Sequence, residues 1–497
     1  MSVPAIRIRA ANDRPLRATG DHVLYWMTAA RRTRHSFALD RAIEHARALG
    51  KPLRVLEALR VGYRWASDRL HRFVLEGMAD NRVRFATSPI AYRAYVEPGV
   101  GDGHGLLAAM AARACVVVTD DTPCFFLPHM LASAARQLDV LVEAVDGNGL
   151  LPVVASEKIQ PTAYAFRRFL QKSLPEHIVH APTADPLRRL LLPAAKPLPR
   201  EIDRHWPEPP TDPETALATI ASLPIDHAVG RAAMTGGAIA GEATLRAFLE
   251  VRLPHYAEDR NDPDREAASG LSPWLHFGHV SSHDVVRAVL AREEIDPATL
   301  VSGGDGSRAG WWGASAPAEA FLDQVVTWRE LGLNLCARRP DDYDRYESLP
   351  PWARASLDAH ASDVRPVRYS KAQLEAARTA DDVWNAAQRE LVRTGRMHNY
   401  LRMLWAKKVL EWSKSPREAL ETLIDLNNKY AVDGRDPNSY SGIFWSFGRY
   451  DRPWAPERPI FGVIRYMSST NTKKKLDLRR YLARYGDAPA QGSLGFS

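Results

Sequence analysis

Nine prolines between Ala181 and Pro213 divide this chain into two stretches with different hydrophobic periodicity. Pro182, Pro186, Pro193, Pro197, Pro199, Pro207, Pro209, Pro210 and Pro213 fix φ and remove backbone donors too densely for a long helix or central strand to cross. Residues 181–214 are therefore expected to run over the surface as a linker. Before them, short apolar runs alternate with helical patterns. Val23–Met27, Leu53–Leu59, Ile90–Val96, Cys115–Thr119 and Val140–Val145 read as strands. Helices are expected over Phe37 to Gly50, Arg69–Phe85, Leu106–Ala112 and Met130–Leu138. Five strands separated by helices predict an α/β domain at 21–180, a doubly wound parallel sheet of Rossmann or flavodoxin-like type. Such a sheet binds ligands outside the carboxyl ends of its strands.

After the linker the strand pattern stops. Helical spacing recurs in Glu242–Leu253, Asp284–Arg292, Ala318–Leu331, Lys371–Ala377, Val383–Arg393, Tyr400–Trp412 and Pro416–Leu426. An all-α domain is expected at 215–497, interrupted by a flexible loop at Ser302–Ser315. Residues 1–20, rich in Arg, read as an irregular surface arm. A chain of 497 residues is long enough for these domains.

The net charge of +7 leans towards a polyanionic partner. Three cysteines, Cys115, Cys124 and Cys336, form no disulfide framework and no metal-ligand spacing, which suits a reducing cytoplasm. No apolar run approaches the length of a membrane span, and the first 20 residues lack a signal-peptide core. Gly99, Gly101, Gly103 and Gly105 follow a strand, but their spacing favours an ordinary βα loop over a phosphate cradle. The basic run Lys473-Lys474-Lys475, with Arg479, Arg480 and Arg484, is either a solvated face or a phosphate contact.

The densest chemical signal is Trp384–Trp412, which holds three tryptophans among Arg, His and Asn. Trp405 and Trp412 are two helical turns apart, on one face with a rise of roughly 10 Å. Core packing is the ordinary role of such indoles, and carrying an electron is the alternative. Several segments decide between them. Ser269–Gly278 (SGLSPWLHFG), Trp384–Gln388 (WNAAQ), Met397–Lys408 (MHNYLRMLWAKK), Asp433–Asn438 (DGRDPN) and Gly462–Met467 (GVIRYM) occur in this order. Together they resemble the photolyase/cryptochrome family, and within it the class II cyclobutane pyrimidine dimer (CPD) photolyases. The likeness runs from about Leu245 to Tyr485 and is looser in the first half, where VLYWM and Ala155–Lys158 (ASEK) carry it.

The resemblance implies an FAD in the helical domain and an antenna chromophore, of 8-hydroxy-5-deazaflavin type, beside the α/β domain. It implies that Ser269, Leu271 and Ser272, opening a helix at Pro273, face the pyrophosphate, and that Tyr256 and Asn399 belong to the same cofactor site. Arg402 and Asp433 resemble the pair beside the isoalloxazine, where a cation favours the reduced flavin. Asn427 matches the position facing flavin N5. Trp405, Trp384 and Trp412 would relay electrons in that order outward, with Tyr369 close by. For the substrate, a dimer flipped out of DNA, the similar positions are Trp328 and Trp445 as aromatic walls, Met403 as floor, and Arg452 and Arg465 at the DNA face. The expected partner is damaged DNA, with the protein a monomer.

Three departures fall on the substrate side. Gln324 in Phe321-Leu322-Asp323-Gln324 stands where the family has a dimer-binding Glu, and an amide can donate a hydrogen bond but carries no charge. The segment Ser446–Arg452 is one residue shorter than usual and has Tyr450 in place of a His. Thr470-Asn471-Thr472 replaces a Gly-Cys motif. Light-driven dimer repair is the first expectation. A cryptochrome-like photoreceptor that photoreduces FAD without repair is the second, and a light-independent DNA-binding protein without flavin is the third.

Overall fold

Alternation along a single strand sets up the first half of the molecule. In β2 (His22–Met27), Val23, Tyr25 and Met27 enter one buried cluster and Leu24 and Trp26 enter another, on the opposite face of the sheet. The computed structural model describes residues 2–486, so the last eleven residues of the expected helical domain, 487–497, lie outside the described residues. The remaining strands are β1 (Ile8–Ala10), β3 (Leu53–Leu59), β4 (Ala91–Val96), β5 (Ala114–Asp120) and β6 (Val142–Val145), in the order β1-β6-β5-β2-β3-β4. All pairs are parallel except β1 with β6, where Ile8 faces Val145 and Ala10 faces Glu143.

Strand β1 corrects the reading of residues 1–20 as an irregular arm. Arg7, just ahead of it, is buried against Phe37 and donates to the carbonyls of Asp146, Gly149 and Leu150. Main-chain pairing and a guanidinium bonded to three carbonyls fix a segment whose composition looks solvent-facing.

The Pro-rich segment is a strap that grips both faces of the sheet. Leu187 and Leu190 pack into the cluster around the Phe37–Leu49 helix, and Ile202 packs into the opposite one. Two buried arginines of adjacent strands, Arg54 and Arg93, donate to the strap carbonyls of Lys196 and Trp206.

Beyond the strap the described residues form helices and no further named strand. The expected single helix over Ala318–Leu331 is in fact Ala316–Leu322, a π-helical turn Asp323–Trp328, and Arg329–Arg338. The Ser302–Ser315 loop is not free. Gly303 and Gly306 donate to the Gln171 carbonyl and side chain, Arg167 donates to the Gly306 carbonyl, and Trp312 is buried. A loop whose backbone groups are matched to the side chains and carbonyl of one helix is held, whatever its glycine content.

The halves are joined by buried polar contacts. The main-chain amides of Leu150 and Leu151 donate to Glu330, and Arg32 donates to the Gly278 carbonyl. Gly278 has φ of +70°, and a Cβ there would sit 1.9 Å from the Ala29 carbonyl oxygen, so the approach of the two halves requires glycine.

Candidate active site

Two antiparallel neighbours, the Asp382–Thr394 and Asn399–Trp412 helices, build the centre of the site. Asp381 caps the first at the Trp384 amide, and Gly395 ends it in a left-handed conformation. The chain then turns through Arg396, Met397 and His398 into the second.

Trp384 and Trp405 are fully buried and stack with ring centroids 6.5 Å apart and planes 9° from parallel. Trp412 meets Trp384 edge-on at 5.5 Å, and Tyr369 meets Trp412 edge-on at 5.1 Å. The four rings thus form one continuous row, Trp405–Trp384–Trp412–Tyr369. It starts in the core and ends at a partly buried tyrosine whose oxygen accepts a hydrogen bond from the Ala380 amide. The indole N–H groups are satisfied internally. Trp405 donates to Gln388 at 2.9 Å and Trp384 donates to the Trp405 carbonyl at 3.1 Å. Lys408 lies 4.9 Å from the Trp412 ring.

Arg402 stands one turn before Trp405 and pairs with Asp433 through two hydrogen bonds of 3.0 and 3.3 Å. Burial pushes the Asp433 carboxyl up, but the Arg402 charge and the Ser272 hydroxyl outweigh it and hold the group below the usual range. This contact joins the Ser269–Ser272 turn to Arg402. The turn itself has Gly270 at φ +72°, where a Cβ would lie 3.3 Å from the Arg396 guanidinium, and the Ser269 hydroxyl accepts from the Leu271 amide. Leu271 is buried and Ser272 exposed. Tyr256 is buried with Arg260 over its ring at 5.6 Å. Asn399 is exposed at the start of its helix. Both ring nitrogens of His398 are buried without a well-formed hydrogen bond, and burial, with the Arg396 charge, lowers its pKa to about 4. A neutral imidazole held only loosely by the Arg260 backbone, with the Arg396 charge near it, can still hydrogen-bond an anionic ligand.

Asn427, near the end of the Pro416–Tyr430 helix, is buried and donates to the Ser439 hydroxyl at 2.7 Å. Its neighbour Asn428 accepts from the Arg435 amide, fixing the Asp433–Asp436 loop. Asp436 faces Arg329 at 3.5 Å and His276 at 3.3 Å. Burial raises its pKa, but Arg329 and His276 bring it down to about 2.

Of the positions expected to face a substrate, Gln324 and Trp328 are half-buried and occupy the same π-helical turn. Trp328 and Trp445 border the same hydrophobic cluster. Met403 is half-buried on the helix face following Arg402. Arg465 lies 5.6 Å from the Trp445 ring, and exposed Arg452 lies 4.7 Å from Trp454. Tyr450 is buried and donates to the Leu331 carbonyl. Gln388, Lys407 and Trp454 belong to this assembly and were not singled out from sequence. Gln388 and Lys407 sit inside the recognised blocks, whereas Trp454 follows a proline and has no periodic signal.

A cavity of about 690 Å³ lies outside the carboxyl ends of the parallel strands and reaches the Arg329–Asp436 pair. Thr28, Glu97 and Phe125 line it from the sheet side, and Phe277, Arg329 and Asp436 from the helical side. The glycine loop contributes to its wall, but the Gly101 and Gly103 amides donate to Glu97 and are not available to a phosphate. Half of the basic run near the C-terminus is engaged in exposed ion pairs. Lys473 pairs with Asp382, Arg479 with Asp477 and Arg484 with Glu266.

No protein-family model matches the chain. Deoxyribodipyrimidine photo-lyases do. That of Methanothermobacter thermautotrophicus is 33% identical over 484 residues, 97% of this chain and 98% of that protein. That of Oryza sativa subsp. japonica is 35% identical over 479 residues, covering 93% and 87%. That of Potorous tridactylus is 31% identical over 469 residues, covering 92% and 80%. A bacterial class III photolyase from Agrobacterium tumefaciens has the same fold, with TM-score 0.65 at 20% identity over 94% of this chain and 86% of that one. So does a Synechocystis cryptochrome, with TM-score 0.64 at 14% identity over 94% and 88%. A full-length likeness at this level, on a parallel sheet joined to a helical half, places the chain in the photolyase/cryptochrome family, among the deoxyribodipyrimidine photo-lyases.

Proposed function

We propose that the protein is a class II-type photolyase that repairs cyclobutane pyrimidine dimers in DNA, using FAD and light. Members of this family bind FAD. The residues here fit it: Arg402 offers a cation, Asp433 stays ionised, and Arg396 stands against the Ser269–Ser272 turn at Gly270. When bound, reduced FAD excited by light supplies the electron that splits the cyclobutane ring and receives it back.

The observation that supports light-driven reduction of a bound flavin is the row Trp405–Trp384–Trp412–Tyr369, with steps of 6.5, 5.5 and 5.1 Å between ring centres, and the full-length likeness to deoxyribodipyrimidine photo-lyases supports repair. Easily oxidised rings at contact distance make a conduit from the Arg402 side towards solvent. Around it, Ser269, Leu271, Ser272, Tyr256, Asn399 and Asn427 would hold and orient the cofactor. Trp328 and Trp445 would flank flipped bases, because flat aromatic faces suit any pyrimidine. Gln324 would donate its amide to a base carbonyl, and Arg452 and Arg465 would meet DNA phosphates. The cavity at the strand ends is proposed to hold a flat antenna of 8-hydroxy-5-deazaflavin type.

The purified protein is expected to be yellow and, once reduced, to restore pyrimidine absorbance in a dimer-containing oligonucleotide under blue or near-UV light. A yellow protein that photoreduces but leaves dimers intact would refute repair and support the photoreceptor reading, which Gln324 and the short Ser446–Arg452 segment favour. A colourless protein would refute both. Among the described residues no helix is long and apolar enough to cross a membrane.

A further inference from the structure

Lys407 is fully enclosed in the Asn399–Trp412 helix, and among the described residues no carboxylate forms an ion pair with it. A buried ammonium is costly unless its donors are met. Here Nζ donates to the Ser446 carbonyl, at the C-terminal end of the Pro437–Trp445 helix, where unpaired carbonyls and the helix dipole favour a cation. The same Nζ lies 5.6 Å from the Trp445 ring centroid. Arg465 approaches that ring at 5.6 Å and the Trp454 ring at 4.1 Å, and Arg452 reaches Trp454 at 4.7 Å. Cations and indoles therefore interleave from the core to the surface. Asp451 is the acid of the group, and it already faces Arg465 at 3.7 Å and accepts from the Trp454 indole at 3.1 Å.

We propose that Lys407 is a positioning residue for the substrate pocket: its enclosed ammonium, anchored on the Ser446 carbonyl, fixes the Trp445 ring and makes the potential behind that ring positive. This rests on the photolyase reading above. A pyrimidine dimer becomes negatively charged when it accepts an electron, and a fixed cation in a dry site favours that charge. Gln324 is neutral and adds no negative charge of its own, and Asp451 is already paired with Arg465. The groups facing Lys407 are Asp451, which favours its charge, and Arg465, which opposes it. Burial, the dominant influence, brings its pKa down to about 7. The lysine then loses its charge near neutrality, and its contribution fades with rising pH.

The test uses FAD-loaded wild type, K407M and W445F. Below neutrality, K407M is expected to bind a dimer-containing oligonucleotide in the dark about fivefold more weakly than wild type, the scale of a cation–π contact on a ring that is still partly exposed. FAD content and photoreduction through the Trp row should not change. Wild-type affinity should fall towards the K407M level as pH rises through the lysine pKa, while K407M stays flat. Equal affinities below neutrality, with a flat wild-type profile, would overturn the proposal. If wild type does not distinguish dimer-containing from undamaged DNA, the repair reading fails, and the lysine is judged by the indole absorption difference between wild type and W445F. A titration near neutrality that K407M abolishes supports the contact, and its absence overturns it. Should K407M fail to fold, the wild-type and W445F titration decides.

Discussion

Replacing Trp384 by Phe separates the electron row from the rest of the fold. Trp384 is fully buried between Trp405 and Trp412 and donates one hydrogen bond, to the Trp405 carbonyl. That carbonyl keeps its helical partner, so the loss is about 1 kcal/mol for the bond and about 2 kcal/mol for the space left by the smaller ring. Against a stability of roughly 5–15 kcal/mol the variant stays folded. Electron transfer suffers far more. Steps of 6.5 and 5.5 Å between oxidisable rings collapse into one jump between Trp405 and Trp412, whose axial offset alone is roughly 10 Å. Tunnelling falls exponentially with gap, and a phenyl ring is too hard to oxidise to serve as a stop. Photoreduction of bound FAD by an external reductant, followed by absorbance under continuous light, should slow by orders of magnitude. Chemically pre-reduced W384F should still repair dimers, because that electron does not travel along the row. W384F photoreducing at the wild-type rate, with FAD bound, would refute the path.

Gln324→Glu should raise or at least preserve dimer repair, measured as repaired dimers per absorbed photon; a large loss would mean the pocket is built around the amide. Asp433→Asn leaves Arg402 without its carboxylate and should lower FAD retention severalfold on dialysis, with Asp433→Glu recovering part of it. Burial pushes the Glu330 carboxyl up to about 7, against an ordinary value of 4.5, despite hydrogen bonds from Leu150 and Leu151. The folded state therefore favours the protonated acid. Its contribution is full below the ordinary value and is lost as pH rises through about 7, amounting to about 3 kcal/mol. Glu330→Gln retains the Oε1 acceptor and should flatten this loss in denaturant titrations between acidic and alkaline buffer; identical pH slopes would count against it.

The α/β half was legible because each central strand is a dense apolar run bounded by turn residues, as in Cys115–Thr119. Strand β1 was not, because its three residues, Ile8-Arg9-Ala10, gain strand character only by pairing with β6 more than a hundred positions away. The π-helical turn at Asp323–Trp328 was missed because one extra residue barely disturbs the apolar spacing of Ala318–Leu331. Helical periodicity placed Trp405 and Trp412 on one face, but it could not insert Trp384 between them. That juxtaposition comes from the crossing of two helices, and only the family likeness anticipated it. Lys407 reads as a surface lysine in any local pattern. Its enclosure depends on the Pro437–Trp445 helix ending against it.

The Arg7–Leu150–Glu330 connection has a consequence for energy transfer. A guanidinium from the first ten residues grips the carbonyl of Leu150, and the amide of that residue grips the carboxyl of Glu330, two positions from Trp328. Dipole coupling between two chromophores depends on their mutual angle as well as on their separation. A hinge at this seam would average that angle, whereas a buried polar stitch fixes it. If the strand-end cavity holds an antenna as proposed, the N-terminal residues would act as an optical mount, and trimming them would detune that antenna from the proposed flavin site before either half unfolded.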